Sequence, residues 1–492
     1  MDFGTLITDV VRTADLTVLW YTFMVNSFFL LLLVLAAPQL FAHWRFGSED
    51  VLIKSLTSSS APRVSIIVPA YNESVSIVDS VRSLLTLRYP YYEVVLINDG
   101  SKDDTLQRLI DAYDLYECPP AVMRRLRTER VRAYYRSKTW TKLLVVDKAN
   151  GGKADSLNVG LDASRFPFVL ACDADTLIEP DALLRLTRPF LFDRKIAAVG
   201  GTIRVVNSCT VKDGRIADAR VDSRWLPGVQ TVEYLRAFLF GRLGWNLLGG
   251  NLNISGAFGL FRRDYLTEIL GYATSTVTED FEVSVRLQRH IKEKALKAEA
   301  TFIPDPVAWT EVPTSLKILG RQRERWHRGL IATLITHRKV LFNPRYGATG
   351  TIAMPYYLFA ECLGPMVEAI GMVLTLIGTA FGLLAPAYAI AFFAVTYLYG
   401  IALSLAAILM EEASFHRYRR PADSLRLAFF AFIEPLGYRQ LTVWFRLKAF
   451  WRYMRGDRSW GKMQREGFAL PPADGQRLTP MAVPAVQERK TA

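Results

Sequence analysis

A doubly wound α/β domain with a mostly parallel sheet, flanked by transmembrane and interfacial helices, is the fold class that three features of the sequence predict. Short runs rich in valine, isoleucine and leucine at 64–68, 93–97, 143–146 and 168–172 have the composition of strands buried on both faces of a parallel sheet. Helical apolar spacing lies between them, as in Val78, Val81, Leu84 and Leu85 ahead of Arg88-Tyr89-Pro90, so the repeating unit is β-α-β. Long apolar stretches bracket this domain, at 16–42 and from 351 onward.

The 492 residues suit two or three folding units, and 51% hydrophobic content beside 22% charged residues points to soluble and membrane parts in series. The stretch 16–42 is long enough to span a bilayer. A cleaved signal peptide is the competing reading, with Ala36-Ala37 for its peptidase, but such a signal starts basic, whereas Asp2, Asp9 and Asp15 outnumber Arg12 here. Arg45, Lys54 and Arg63 follow, which by the positive-inside rule puts the α/β domain in the cytoplasm. Cys118, Cys172, Cys209 and Cys362 form no Cys-x-x-Cys pair and the five histidines no ligand-spaced cluster, so neither zinc nor structural disulfides are expected. The formal charge of +13 would suit nucleic acid, but the basic residues crowd near the membrane segments and between Arg124 and Lys142. An anionic lipid surface and an anionic donor account for them, and no nucleic-acid partner is expected.

The expected organisation is a short segment 1–15, a transmembrane helix 16–42, a linker 43–62, the α/β domain 63–312, interfacial helices 313–350, two transmembrane helices 351–384 and 385–411, a broken interfacial or re-entrant segment 412–456, and a cytosolic tail 457–492, disordered at its end. Residues 113–142, rich in arginine, read as a solvated helix plus loop between two core elements. The stretch 315–343 sets Lys317, Arg321, Arg323, Arg325 and Arg328 among apolar residues, as in a basic amphipathic helix lying in the interface. Glu361 and Glu368 interrupt the first of the paired spans; Glu434-Pro435 and Gly437 break the last apolar segment.

Polar clusters follow three of the strands directly: Tyr71-Asn72-Glu73, Asn98-Asp99-Gly100-Ser101 and Asp173-Ala174-Asp175. Ligands in such sheets bind beyond the carboxyl ends of the strands, so the three clusters converge on one crevice. Asp173 and Asp175 suit a hard cation such as Mg²⁺ or Mn²⁺ carried by a diphosphate, or an ordinary exposed turn. Gly151-Gly152-Lys153 opens a helix, and its glycines let backbone amides approach an anion, although a plain glycine-capped loop reads the same way. Thr278-Glu279-Asp280 offers a carboxylate base at Asp280 and, equally, a helix N-cap with acidic first-turn residues. Gln322, Arg325, Trp326 and Gly329 fall at i, i+3, i+4 and i+7 on one helical face, as a diphosphate clamp with a sugar platform or as an interfacial tryptophan among arginines.

Taken together, these motifs resemble those of the membrane-bound processive family 2 glycosyltransferases, the group of the bacterial cellulose, poly-N-acetylglucosamine, hyaluronan and chitin synthases. The similarity spans about residues 60 to 350 and includes Val64-Ser65-Ile66-Ile67-Val68-Pro69-Ala70-Tyr71-Asn72-Glu73 and Gln322-Arg323-Glu324-Arg325-Trp326. The resemblance implies a GT-A-type domain on the cytosolic side of a bacterial inner membrane. It also implies inverting transfer from a UDP-sugar, UDP-N-acetylglucosamine or UDP-glucose, to a growing β-linked exopolysaccharide. Tyr71, Glu73 and Asp99 would contact the uridine, Lys153 the diphosphate, Asp173 the donor and, with Asp175, the metal. Asp280 would deprotonate the acceptor, Gln322 and Arg325 would cover the diphosphate, and Trp326 would stack on the terminal sugar. Ser255 would join Trp326 on the acceptor side; its stretch Asn253-Ile254-Ser255-Gly256-Ala257-Phe258 replaces the acceptor motif of the cellulose enzymes, which argues against cellulose. No carboxy-terminal cyclic-dinucleotide domain is recognisable, and the spans are fewer than in the cellulose enzyme, so an export partner subunit is an expected companion. Single-sugar transfer to a lipid and a silent scaffold subunit are the alternatives.

Overall fold

The computed structural model describes residues 3–46, 61–119, 125–212 and 214–457. Most of the linker 43–62 and nearly all of the tail 457–492 therefore lie outside the described residues. In chain order the strands are β1 (Val64–Ala70), β2 (Tyr92–Asn98), β3 (Leu115–Cys118), β4 (Val131–Ser137), β5 (Leu143–Lys148), β6 (Phe168–Cys172), β7 (Leu177–Ile178), β8 (Ile196–Val205), β9 (Thr210–Lys212), β10 (Arg215–Asp218), β11 (Phe258–Arg262) and β12 (Glu299–Thr310). Ten of them form one sheet in the order β3-β4-β5-β2-β1-β6-β11-β8-β12-β7, while β9 and β10 pair separately. Seven of the ten run in one direction and β4, β7 and β11 run against them.

The predicted core strands are the parallel neighbours β5, β2, β1 and β6. Along β1, Val64, Ile66 and Val68 enter one apolar cluster and Ile67 the other, so both faces are covered and no polar alternation survives in the sequence. The helices Ile77–Leu85, Thr105–Tyr113 and Ala182–Phe192 pack on the first face; Lys153–Ala163 and the Val283, Leu287 and Ile291 side of Glu279–Glu293 pack on the second.

Residues 113–142 differ from the expected solvated helix. They contain β3 and β4, which extend the sheet by antiparallel pairing beyond β5. The strand β4 lies one place in from the edge formed by β3, and it carries the exposed Arg132 and the half-buried Arg136 beside a buried Tyr134.

Among the described residues two helices, Asp9–Phe41 and Pro386–Ser414, are long and apolar enough to cross a membrane, and the pair Thr349–Cys362 and Gly364–Ala380, bent by 41°, makes a third if it counts as one span. By length and composition these helices make the chain a membrane protein. The first belongs to a longer helix, Phe3–Phe46, that includes most of the expected separate segment 1–15. Asn26 Nδ2 donates to Val395 O at 2.8 Å and Tyr21 Oη to Phe359 O at 2.7 Å, tying this helix to the other two. Glu361 and Glu368 meet Arg446 at 3.0 Å and Arg439 at 2.7 Å. Residues 412–456 fold as helices Pro421–Ile433 and Arg439–Met454 around a non-helical Leu436-Gly437, at the position where proline and glycine predict a break.

The Pro386–Ser414 helix is keyed to the sheet by an ion pair between Arg204 on β8 and Glu411, whose side chains are 0% and 1% exposed. The Arg204 guanidinium also lies 5.7 Å from the Trp309 ring and 5.5 Å from that of Phe415. Glu411→Ala leaves this cation buried without its carboxylate and is expected to cost about 3–5 kcal/mol, read as a lower thermal midpoint of the detergent-solubilised protein.

Two of the basic residues on the Leu316–Thr336 helix turn into the protein. Arg323 pairs with Glu233, and Arg328 donates to Asp457 O at 2.6 Å, so both charges are buried in protein. Lys317 and Arg321 remain exposed.

Candidate active site

The turns after β1 and β2 are bound to each other. Asp99 N donates to Ala70 O at 2.9 Å, Asn72 N to Ser101 Oγ at 3.0 Å, and Lys102 N to Asn72 Oδ1 at 2.8 Å. Asn72 adopts φ 55°, a left-handed conformation that asparagine tolerates, and Tyr71 beside it is exposed. Asp99 itself is 3% exposed. Lys148 Nζ lies 2.6 Å from its Oδ1, and the Gly151 and Gly152 amides donate to its two oxygens at 2.9 and 2.8 Å. Lys148 also meets Asp155 at 2.7 Å. Charge-assisted bonds of this kind are the strong ones, so Asp99 reaches the crevice in this structure through the glycine loop that it anchors. That loop sets the start of the helix Lys153–Ala163.

A cavity of about 970 Å³ opens beyond the strand ends and runs on between the apolar helices, where Tyr21, Asn26, Glu361 and Gly400 line it. Lys153, Asp173, Asp175, Ser255, Asp280, Gln322, Arg325 and Trp326 all line it too, which brings together eight of the eleven site residues expected from sequence. Tyr71, Glu73 and Asp99 are not among the lining residues and stand on the adjoining turns.

Lys153 Nζ sits 2.5 Å from Asp173 Oδ1 and 3.2 Å from Glu279 Oε1, and donates to Gly256 O at 3.4 Å. Burial alone would lower the pKa of this amine, but Asp173, Glu279 and Asp280 outweigh it and raise it above its ordinary value. Burial pushes the pKa of Glu279 up; Lys153 opposes that shift and Asp280 adds to it. The Asp280 carboxylate accepts from Gly256 N and from Phe281 N, both at 2.9 Å, which turns it towards the Asn253–Phe258 stretch.

Thr278 occupies the N-cap of Glu279–Glu293 but its side chain makes no capping bond. The hydroxyl instead fills the space over Gly329, where a Cβ would stand 2.0 Å from Thr278 Oγ1. Gly329 is thus the contact that lets the Leu316–Thr336 helix lie directly on the Asp280 helix. Gln322 is 8% exposed and its Oε1 has no hydrogen-bond partner among the described residues. Trp326 is 37% exposed at the cavity wall. The intervening motif residues are ion-paired, Arg323 with Glu233 at the cavity wall and Glu324 away from the cavity with Lys448 at 3.3 Å and with Arg452.

Among the residues of this cavity that were not singled out from sequence are Glu233, Arg242 and Tyr438. Arg242 lies 3.9 Å from the centre of the Phe238 ring, and burial pulls its pKa down to about 10. The available signal was charge inside apolar sequence, since Glu233 interrupts the hydrophobic run of the Trp225–Leu235 helix.

A mostly parallel α/β sheet with two acidic turns at its strand ends and a carboxylate-bearing helix across the same crevice defines a glycosyltransferase of the GT-A fold class. The chain belongs to glycosyltransferase-like family 2, whose model matches residues 62–329. It is 29% identical over 282 residues to a poly-beta-1,6-N-acetyl-D-glucosamine synthase of Staphylococcus epidermidis, covering 57% of this chain and 58% of that one. A Staphylococcus aureus protein of the same name is 28% identical over 296 residues, covering 60% and 59%. The chain thus spans less than two thirds of the length of these relatives. Among solved structures, mannosyltransferase PcManGT from Pyrobaculum calidifontis, in complex with GDP-Man and Mn²⁺, is 20% identical with a TM-score of 0.42, covering 77% of this chain and 98% of that one.

Proposed function

We propose that this chain is an inverting, processive hexosyltransferase that extends a β-linked exopolysaccharide from a UDP-sugar at a bacterial inner membrane, with its α/β domain in the cytoplasm. The observation that carries this reading is the single cavity that joins Asp173, Asp175 and Asp280 to the Gln322, Arg325 and Trp326 face and continues between apolar helices. Multi-pass insertion of the helices 16–42, 351–384 and 385–411, with 412–456 as a broken re-entrant element, belongs to the same proposal. UDP-N-acetylglucosamine is the donor of first choice over UDP-glucose, in keeping with the names of the relatives. An export partner subunit remains part of the proposal, since the apolar helices able to line a path are few among the described residues.

Asp173 and Asp175 supply hard oxygen donors, and among the described residues no group of three or more His, Cys, Asp or Glu side chains is placed to hold a metal. That donor set fits Mg²⁺ or Mn²⁺ that takes its remaining ligands from the diphosphate and water. When bound, the cation would neutralise charge on the departing diphosphate. The chain's own groups do the rest. Asp280 takes the proton of the acceptor hydroxyl as its oxygen bonds to the anomeric carbon. The bond from that carbon to the diphosphate oxygen breaks with inversion, and UDP leaves against Lys153 and Arg325. Trp326 stacks on the new terminal sugar and keeps the polymer in place for the next addition.

The test is a panel of UDP-sugars given to the purified protein with Mg²⁺ or Mn²⁺. UDP release that stops on chelation and returns with the cation, together with a ladder of β-linked products, is expected. One sugar per acceptor would reject the processive reading, and failure of the folded protein to bind any UDP-sugar would reject catalysis.

A further inference from the structure

Arg323 stands inside the Gln322-to-Trp326 motif at a position with no part in the chemistry above, yet both of its terminal nitrogens are hydrogen-bonded. Its guanidinium donates through Nη1 and Nη2 to the two oxygens of Glu233, each at 2.7 Å. Tyr438 Oη donates to Glu233 Oε2 at 2.6 Å and accepts from Arg323 Nη2 at 3.2 Å, so the three groups close a ring in which donors and acceptors match. The same guanidinium lies 4.7 Å from the centre of the Trp326 ring. Burial alone would raise the pKa of Glu233, and Arg323 reverses the shift, so the carboxylate is ionised and the pair is charged at neutral pH.

The ring draws on three elements far apart in sequence: the Trp225–Leu235 helix, the Leu316–Thr336 helix, and the residue at which the chain leaves the Leu436-Gly437 break. Gly437 takes φ 95°, a conformation that a residue with a side chain adopts only under strain, and this turn sets the direction from which Tyr438 enters. A guanidinium whose two terminal nitrogens are held by one carboxylate is a restrained plane, and lying over an indole it restrains the ring. With one face so covered, the ring has one face left for a ligand.

We infer that Glu233, Arg323 and Tyr438 are positioning residues that clamp the Trp326 platform, and that the broken segment after Ile433 thereby governs how long the growing saccharide is retained. This rests on the processive reading above. The ligand class is a neutral or weakly polar pyranose ring, recognised by stacking, and the clamp acts on it through Trp326.

Product length at matched UDP release tests the inference. Glu233→Gln and Tyr438→Phe are each expected to shorten the mean product by about threefold or more, the scale of one weakened stacking or cation-π contact. In a Trp326→Ala background neither is expected to shorten it further, because the platform they act on is gone. Wild-type product lengths from both variants would overturn the inference, and so would equal further shortening in the Trp326→Ala background, which would mark a general structural effect. Tyr438→Phe removes one hydroxyl and keeps the test open if Glu233→Gln does not fold. A wild-type protein that adds one sugar per acceptor would overturn the processive reading and the inference with it, an outcome separate from a normal ladder that the variants leave unchanged.

Discussion

Asp280→Asn is expected to slow UDP release by about 10²–10⁴-fold, the range that a positioned general base contributes. The substitution keeps the size of the side chain and one acceptor oxygen. Of the two amide bonds at 2.9 Å, from Gly256 and Phe281, one is lost, at a cost of about 0.5–1.5 kcal/mol. The helix start and the Gly329 contact are therefore retained, and donor affinity by calorimetry should change far less than turnover. A charge effect accompanies the loss. Asp280 is one of the groups that raise the pKa of Glu279, so in the variant Glu279 ionises at lower pH than in the wild type. A fall in donor affinity that matches the fall in turnover would assign Asp280 to binding and remove it from proton transfer.

The parts of this fold that were legible in sequence are those whose cause is local. Runs such as Val64 to Val68 are apolar because both faces of their own strand are covered, and the acidic turns follow because strand ends meet solvent. The break at Leu436-Gly437 was legible for the same reason, since proline and glycine act on their own backbone. What escaped depends on distant partners. β3 and β4 were hidden because strands near a sheet edge, with arginines in β4, carry the charge of a solvated helix. The inward turn of Arg323 and Arg328 was hidden because Glu233 and Asp457 lie 90 and 129 residues away. Asp99 belongs to both groups: its place at the end of β2 was readable, but its engagement by Lys148, Gly151 and Gly152 was not.

Lys153→Met is expected to change two measurements in opposite directions. Transfer should fall by about 10²–10³-fold, the usual loss when one donor to a developing negative charge is removed. Binding of Mn²⁺ in the absence of any nucleotide, followed by electron paramagnetic resonance, should instead strengthen. The cause is the position of the ammonium in the resting protein. At 2.5 Å from Asp173 and 3.2 Å from Glu279 it neutralises one of the two proposed metal carboxylates and the acid beside it, and so would compete with a cation in the absence of a diphosphate. Because its pKa is raised above the ordinary lysine value, the ammonium stays charged in the folded state throughout neutral and mildly alkaline pH; its stabilising pairing is lost only as pH rises through that raised value. Raising the assay pH to 9 therefore does not mimic the substitution. In the variant Glu279 loses the cation that held its pKa down, so it takes up a proton at higher pH than in the wild type. The gain in Mn²⁺ affinity is then largest at alkaline pH, where Glu279 is ionised and adds its charge beside the metal carboxylates. An unchanged Mn²⁺ affinity across that range would mean that Lys153 leaves Asp173 freely in the resting protein and contributes to donor binding alone.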